Sequence, residues 1–219
     1  MLSARQTRSQ AFFATSAGQW DKLRGELFGP GLEIPLLAGL LDASWTVGDL
    51  GCGTGGLLEA LSPFVSEVVG VDSSAAMLAA ARKRLSRLSN VRLERGAMEA
   101  LPLDDASLDA ALIILVLHHL SDPARALAEA ARVLKPGGRL VVMDMQPHDR
   151  AEYRAQMGHV WLGFEAAQIE RWLTEAGFEA PRVRPLPPSP NVKGPPLFAA
   201  AARRIASSKS KAAPQTSSR

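Results

Sequence analysis

The chain of 219 residues has a single cysteine, Cys52. One thiol makes no disulfide framework and no thiol-rich metal site, and it suits a reducing, cytoplasmic setting. No apolar stretch reaches the roughly 18 uncharged residues that a membrane span requires. The longest candidate, "LDAALIILVLHHL", reads as a buried strand. The opening "MLSARQTRSQAFFATSAGQW" lacks the apolar core of a secretory signal, so a frayed N-terminus is expected rather than a leader. Acids are missing from the end: "RRIASSKSKAAPQTSSR", from Arg203 on, carries five basic residues and no acid, so of the formal net charge of +3 the rest of the chain accounts for −2. The body is therefore not basic, nothing in its charge calls for nucleic acid, and residues 203–219 read as a disordered, solubilising tail.

What is present is an ordinary globular balance, 47% hydrophobic and 21% charged, in a length that suits one well-cored domain. After Leu32 helix and strand signals alternate. "GLEIPLLAGLLDA" reads as an apolar helix, "WTVGDLG" as a strand, "TGGLLEALSPF" as a helix, "EVVGVD" as a strand, and "SAAMLAAARKRLSRL" as a helix ending at Asn90. The strands "VRLERG" and "LDAALIILVL", the helix "DPARALAEAARVLKPGG" and the strand "RLVVMDM" follow. Such alternation predicts crossovers, a mostly parallel sheet and helices on both faces. A further helix, "FEAAQIERWLTEAGF", is stopped by Gly177, and two late strands, "RVRPLP" and "PPLFAAAARR", lie close enough to pair antiparallel. Proline-rich "PLPPSPNVKGPP" between them reads as an exposed loop or hairpin. There is no internal repeat. Phe12, Phe13 and Trp20 fall on an N-terminal helix that either packs on the core or caps a pocket.

The stretch "VGDLGCGTGGLLEAL", Val47 to Leu61, sets an acid and closely spaced glycines between a strand and a helix. Glycines at such a turn let backbone approach a ligand held at the carboxyl end of the sheet. Asp72 ends the next strand 21 residues after Gly51, the spacing at which an acid grips ribose hydroxyls. Gly51, Gly53 and Gly56 have the G-x-G-x-x-G spacing, so the glycines by themselves do not decide the ligand, but no lysine follows them to make a phosphate loop. A ligand with an adenosine but no phosphates is expected.

"DLGCGTG" resembles the first motif of the Rossmann-like, class I S-adenosylmethionine-dependent methyltransferases. The resemblance extends through "GVDSSAAMLAAAR" and "LPLDDASLDAALIILVLHHLSDPARALAEAARVLKPGGRLVV", over about residues 32–202. It implies a mostly parallel seven-stranded sheet with a late antiparallel strand, preceded by an N-terminal helical cap over residues 1–31. It also implies that Asp49 orients the methionine ammonium, that Gly51 and Gly53 offer backbone to the methionine part, and that Asp72 with Ser73 holds the ribose. Ala97, Met98 and Leu115 complete the implied cofactor set. Where the family commonly has an acid for the adenine amino group this chain has Ala97, and Met98 is open to a ligand role or a core role. "FFATSAGQWDKLR", "DMQPHD" and "WLGFEAAQIERWLTEAGF" are similar to the menaquinone/ubiquinone type, in particular to domains fused behind arsenic-repressor-like regulators, here expected without the winged helix.

Methyl transfer needs alignment first and a base only for a protonated acceptor. Four histidines, His118, His119, His148 and His159, fall where the pocket is expected. His148 is the first candidate base and His118 the second; since neighbours on a strand point to opposite sides, at most one of His118 and His119 should face the site. Phe12, Phe13, Trp20, His118, Tyr153, His159 and Trp161 are the expected substrate wall. His148, Asp149 and His159 have metal-ligand chemistry, but no H-x-x-x-H or paired Cys/His spacing supports a metal, and none is expected. Cys52 alone argues against arsenic as substrate. The expected activity is transfer to an O- or N-nucleophile on a ring-containing small molecule by a monomer or homodimer, with release of S-adenosylhomocysteine. C-methylation of a quinol-like ring and a non-catalytic cofactor-binding sensor remain open beside it. Nucleic-acid acceptors lack an N-P-P-Y-like motif to serve them.

Overall fold

Pro123 at the first helical position and Asp122 before it, whose side chain accepts from the Arg125 amide at 3.0 Å, start the best-defined helix of the chain. Its apolar face, Ala126, Leu127, Ala130 and Val133, is wholly buried. The computed structural model describes residues 37–187 and 193–206. The chain divides into two compact units, residues 1–41 and 42–219, and all that follows concerns the second. The expected N-terminal cap with Phe12, Phe13 and Trp20 lies outside the described residues, as do residues 31–36 of the first apolar helix and residues 207–219 of the basic tail.

The second unit runs β1 (Thr46–Leu50), α1 (Gly56–Leu61), β2 (Glu67–Asp72), α2 (Ala75–Arg84), β3 (Val91–Arg95), β4 (Leu108–Ile114), α3 (Pro123–Val133), β5 (Leu134–Met145), α4 (Glu152–Met157), α5 (Ala166–Glu175), β6 (Phe178–Pro185) and β7 (Leu197–Arg204). The seven strands form one sheet in the order β3-β2-β1-β4-β5-β7-β6. β1 to β5 are parallel to one another, and β7 is antiparallel to both β5 and β6. This is the Rossmann-like sheet with helices around it that the sequence predicts. The strand order reverses between β1 and β4, which opens a crevice at their carboxyl ends. Among the described residues no helix is long and apolar enough to cross a membrane.

Several boundaries differ from expectation. α2 stops at Arg84, short of Asn90, and α3 stops at Val133 because Leu134 is already extended. Pro136 disfavours helix in the residue before it, so "LKPGG" enters β5 instead. β7 continues through Arg203 and Arg204, past the expected domain end at residue 202, and Arg203 Nε donates to the Gly137 carbonyl at 3.0 Å. α4 is a helix that the sequence did not announce.

Phe164, 1% exposed, sits between the rings of Trp161 and Trp172 at 5.6 and 5.8 Å and fastens the segment after β5 to the core. Phe164→Ala is expected to cost about 3–5 kcal/mol, read as a lower urea midpoint at unchanged slope. A loss under about 1 kcal/mol would show that this ring does not anchor the segment.

Candidate active site

The turn after β1 is built on positive φ. Gly51, Gly53 and Gly55 sit at +88°, +51° and +78°, conformations that side chains with a Cβ rarely adopt. A Cβ at Gly51 would stand 2.4 Å from Val116, and one at Gly55 would stand 2.8 Å from Leu85, so both glycines are needed for close packing. At Gly53 a Cβ would meet nothing within 4 Å: the backbone there faces open space. Gly51 and Cys52 donate their amides to the Val71 carbonyl at 2.7 and 2.9 Å, which ties the turn to the end of β2. There the Asp72 carboxylate accepts from the Gly53 amide at 2.9 Å and from the Ser74 amide at 2.8 Å.

Asp49 is buried at the end of β1, and among the described residues no cation pairs with it. Burial, reinforced by the nearby Asp72 charge, pushes its pKa up to about 7. Burial first, then the same two acids, push the Cys52 thiol up to about 12, so it is an inert core thiol.

Beyond β4 the chain breaks into a turn. Leu115 has φ +56°, exposed at the crevice, and Leu117–His119 form a 3₁₀ turn. The expectation that at most one of the two adjacent histidines faces the site fails here. On a 3₁₀ turn successive side chains are not opposed, and His118 and His119, ring centroids 4.1 Å apart, line the same cavity. His118 is buried, and its Nδ1 lies 2.8 Å from Oδ1 of Asp144, which is 0% exposed. The Met145 amide donates to the same oxygen at 2.8 Å, and the His118 amide reaches Oδ2 at 3.4 Å. His159 comes in from the far side: the Val160 and Trp161 amides both donate to the His118 carbonyl, at 2.9 and 3.1 Å.

The cavity has a volume of about 700 Å³. His118, His119, His159 and Tyr153 supply its polar groups; Leu115, Met145, Met157 and Leu197 are among its apolar lining. Desolvation by burial is the chief cause that holds the pKa values of His119 and His159 below the ordinary imidazole value. Burial and then Arg150 do the same to His148. The rings are therefore neutral at pH 7.

Of the expected site residues, then, Leu115, His118, Tyr153 and His159 line one cavity, while Asp49, Gly51, Gly53, Asp72 and Ser73 gather at the ends of β1 and β2. Ala97 is exposed after β3, and Met98 is in the core cluster, the second of the two roles left open for it. Trp161 does not reach the cavity lining. Its indole donates to the Leu120 carbonyl at 2.9 Å and its ring packs on Phe164 and Trp172. His148 is not in the lining either; its Nδ1 accepts from the Arg150 amide at 3.2 Å, and its Nε2 is buried without a partner.

Sequence reasoning missed Asp144, whose signal was an acid inside the apolar strand "RLVVMDM". It also missed Leu186, Pro187 and Gly194–Leu197, described parts of the proline-rich connection that wall the cavity.

Residues 48–142 match the family model described as a methyltransferase domain. That stretch is 95 of the 219 residues, and over it the chain is similar to methyltransferase domains. A 37.1 kDa protein in transposon TN4556 of Streptomyces fradiae is 42% identical over 153 residues, which are 63% of this chain and 44% of that protein. The demethylmenaquinone methyltransferase of Tropheryma whipplei (strain Twist) is 43% identical over 98 residues, 44% of this chain and 40% of that protein. The chain spans less than half the length of these curated relatives. Among solved structures, an S-adenosylmethionine-dependent methyltransferase from Mesorhizobium loti superposes with a TM-score of 0.65 at 25% identity, over 77% of this chain and 95% of that one.

The residues of the matched stretch fit S-adenosylmethionine. The backbone at Gly53 faces free space, Asp72 lies within hydrogen-bond reach of the same turn, and Asp49 is a buried acid without a countercharge, suited to an ammonium group. This gives Asp49 a testable cost. Below about pH 4 an unfolded aspartate is protonated as well, so burial costs nothing. Between there and about pH 7 the folded chain alone keeps its proton, and the stability Asp49 contributes is lost as pH rises through that window. Asp49→Asn is expected to melt higher than wild type at about pH 8 and alongside it near pH 4, while binding S-adenosylmethionine at least tenfold more weakly by calorimetry. Melting curves that stay parallel across this range would contradict the burial argument.

Proposed function

We propose that the chain transfers a methyl group from S-adenosylmethionine to a small-molecule acceptor seated in the cavity of about 700 Å³. The acceptor class is an oxygen or nitrogen nucleophile on a ring-containing metabolite. The observation that carries this reading is the His118–Asp144 pair: a buried imidazole with one nitrogen held by a buried carboxylate, on a largely apolar cavity whose Leu115–His119 side includes Val116, which packs against Gly51. S-adenosylmethionine supplies a sulfonium-borne methyl, whose carbon bonds to the acceptor as the carbon–sulfur electron pair stays on sulfur. Asp49 holds a cationic ammonium, and Asp72 keeps lone pairs for hydroxyl donors. With Nδ1–H directed at Asp144, Nε2 of His118 carries the lone pair that takes the acceptor's proton, and Asp144 steadies the resulting imidazolium. Tyr153, whose hydroxyl accepts from Arg150 at 2.7 Å, and the prolines near Leu197 give flat walls for a ring.

C-methylation of a quinol-like ring is the second reading, and the likeness to a demethylmenaquinone methyltransferase favours it. A panel of phenolic, amine and quinol acceptors separates the two. His118→Gln is expected to lower kcat by about a hundredfold or more on a protonated acceptor with S-adenosylmethionine affinity unchanged, whereas Asp72→Ala should weaken that affinity. Tight cofactor binding without turnover on any acceptor would favour the sensor reading instead.

A further inference from the structure

Three histidines meet in the cavity wall although no sequence spacing announces them. His118, His119 and His159 each offer a ring nitrogen, and these three atoms lie within 4.8 Å of one another. The ring centroids stand 4.1, 4.3 and 5.2 Å apart. The backbone brings them together: His118 and His119 share one 3₁₀ turn, and the His118 carbonyl accepts from the two amides that follow His159.

We propose that His118, His119 and His159 form a binding site for one divalent transition-metal ion of the zinc or cobalt type, with a further coordination position open to the acceptor cavity. Two of the rings have one nitrogen engaged by an oxygen, as ligating histidines do. Nδ1 of His118 is committed to Asp144 at 2.8 Å, and Nδ1 of His119 lies 3.3 Å from the Gly158 carbonyl, so in both it is Nε2 that is left to bind. A buried carboxylate behind a ligating histidine fixes its tautomer and strengthens it as a donor. The third ring has an unmet need: Nδ1 of His159, a residue 6% exposed, is buried with no hydrogen-bond partner. Such an orphan is costly to leave, and a coordinate bond is one way to satisfy that ring.

The donor set selects the ion class. Three imidazoles with an open position suit zinc and its neighbours, whereas magnesium and calcium take oxygen ligands. Ligands about 2.0–2.1 Å from a tetrahedral ion stand roughly 3.4 Å apart, so the rings must close by about an ångström. His119 is exposed and free to make that move.

The chemical consequence rests on the proposed methyl transfer. An acceptor hydroxyl at the open position loses its proton to water more readily beside the ion. The ion then replaces the His118 lone pair as the activating group, with bond making and breaking at carbon unchanged.

The test is made on the full chain stripped of metal and titrated with Co²⁺ and Zn²⁺, with no acceptor or S-adenosylmethionine present. Calorimetry should give one ion per chain at micromolar affinity or tighter, and Co²⁺ should develop visible absorption bands that Zn²⁺ displaces. His119→Ala removes an exposed ring, so the fold should survive, and it should weaken binding at least tenfold; His159→Gln is the second variant, with circular dichroism confirming the fold of both. Millimolar or absent binding, or affinity unchanged in both variants, overturns the metal site while leaving methyl transfer untouched. Failure of S-adenosylmethionine to bind is read separately and overturns the transfer reading instead.

Discussion

The reversal of strand order between β1 and β4 is the constraint on which the rest of the domain depends. Helices that leave the two strands on either side of this line must diverge, so the carboxyl ends of β1 and β4 stay uncovered. A sheet that is apolar along its length is therefore free to carry polar groups at one edge. The domain uses that freedom at every central strand: Asp49 stands one residue before the end of β1, Asp72 ends β2, the two histidines follow β4, and Asp144 sits near the end of β5.

These acids solve the same burial problem differently. Asp144 is 0% exposed and is given partners, an imidazole and two backbone amides. Asp72, less buried, is wrapped by two amides of neighbouring turns. Asp49 has burial without a countercharge, so its proton affinity rises. A partly satisfied acid at a glycine turn is what a binding site needs, because the ligand supplies the missing charge. A fully satisfied acid behind a histidine is what a positioning residue needs, because its hydrogen bonds must not change when the ligand arrives. The local hydrogen-bond inventory thus separates the two roles where residue type does not.

Much of this was legible in the sequence because the signals were local. The glycine turn, Asp49 and Asp72 stand within 24 residues of one another and are fixed by strand-turn-helix geometry, so their placement needed no tertiary information. The histidine cluster was legible only in part. His118 and His159 were named for the pocket, but their contact depends on amides 42 and 43 residues downstream of a carbonyl at the end of β4, and no periodicity encodes that. The assumption that His118 and His119 oppose one another failed for a local reason, the positive φ at Leu115, which ends the strand two residues before Leu117 and opens a 3₁₀ turn. Trp161 looked like a pocket aromatic because it neighbours His159. Its indole finds its acceptor at Leu120 and its ring finds Phe164 and Trp172, and hydrogen bonding together with aromatic packing settled it in the core.

The proline-rich connection shows how topology assigns a role that composition hides. β7 is antiparallel to β5, and β6 is antiparallel to β7, so β6 runs in the direction of β5 and ends at the same edge. The described ends of the connection from Pro185 to Leu197 therefore lie at the carboxyl side of the sheet. Prolines suit that position: they hold an extended wall without offering unsatisfied amides to an apolar ligand. A loop read as mere surface becomes, by the direction of two strands, one side of the cavity, and the opposite side is formed by the histidine turn after β4. The cavity is thus bounded by the turn that follows a central strand and by the connection between the two late strands, two walls built independently of the turn at Gly53.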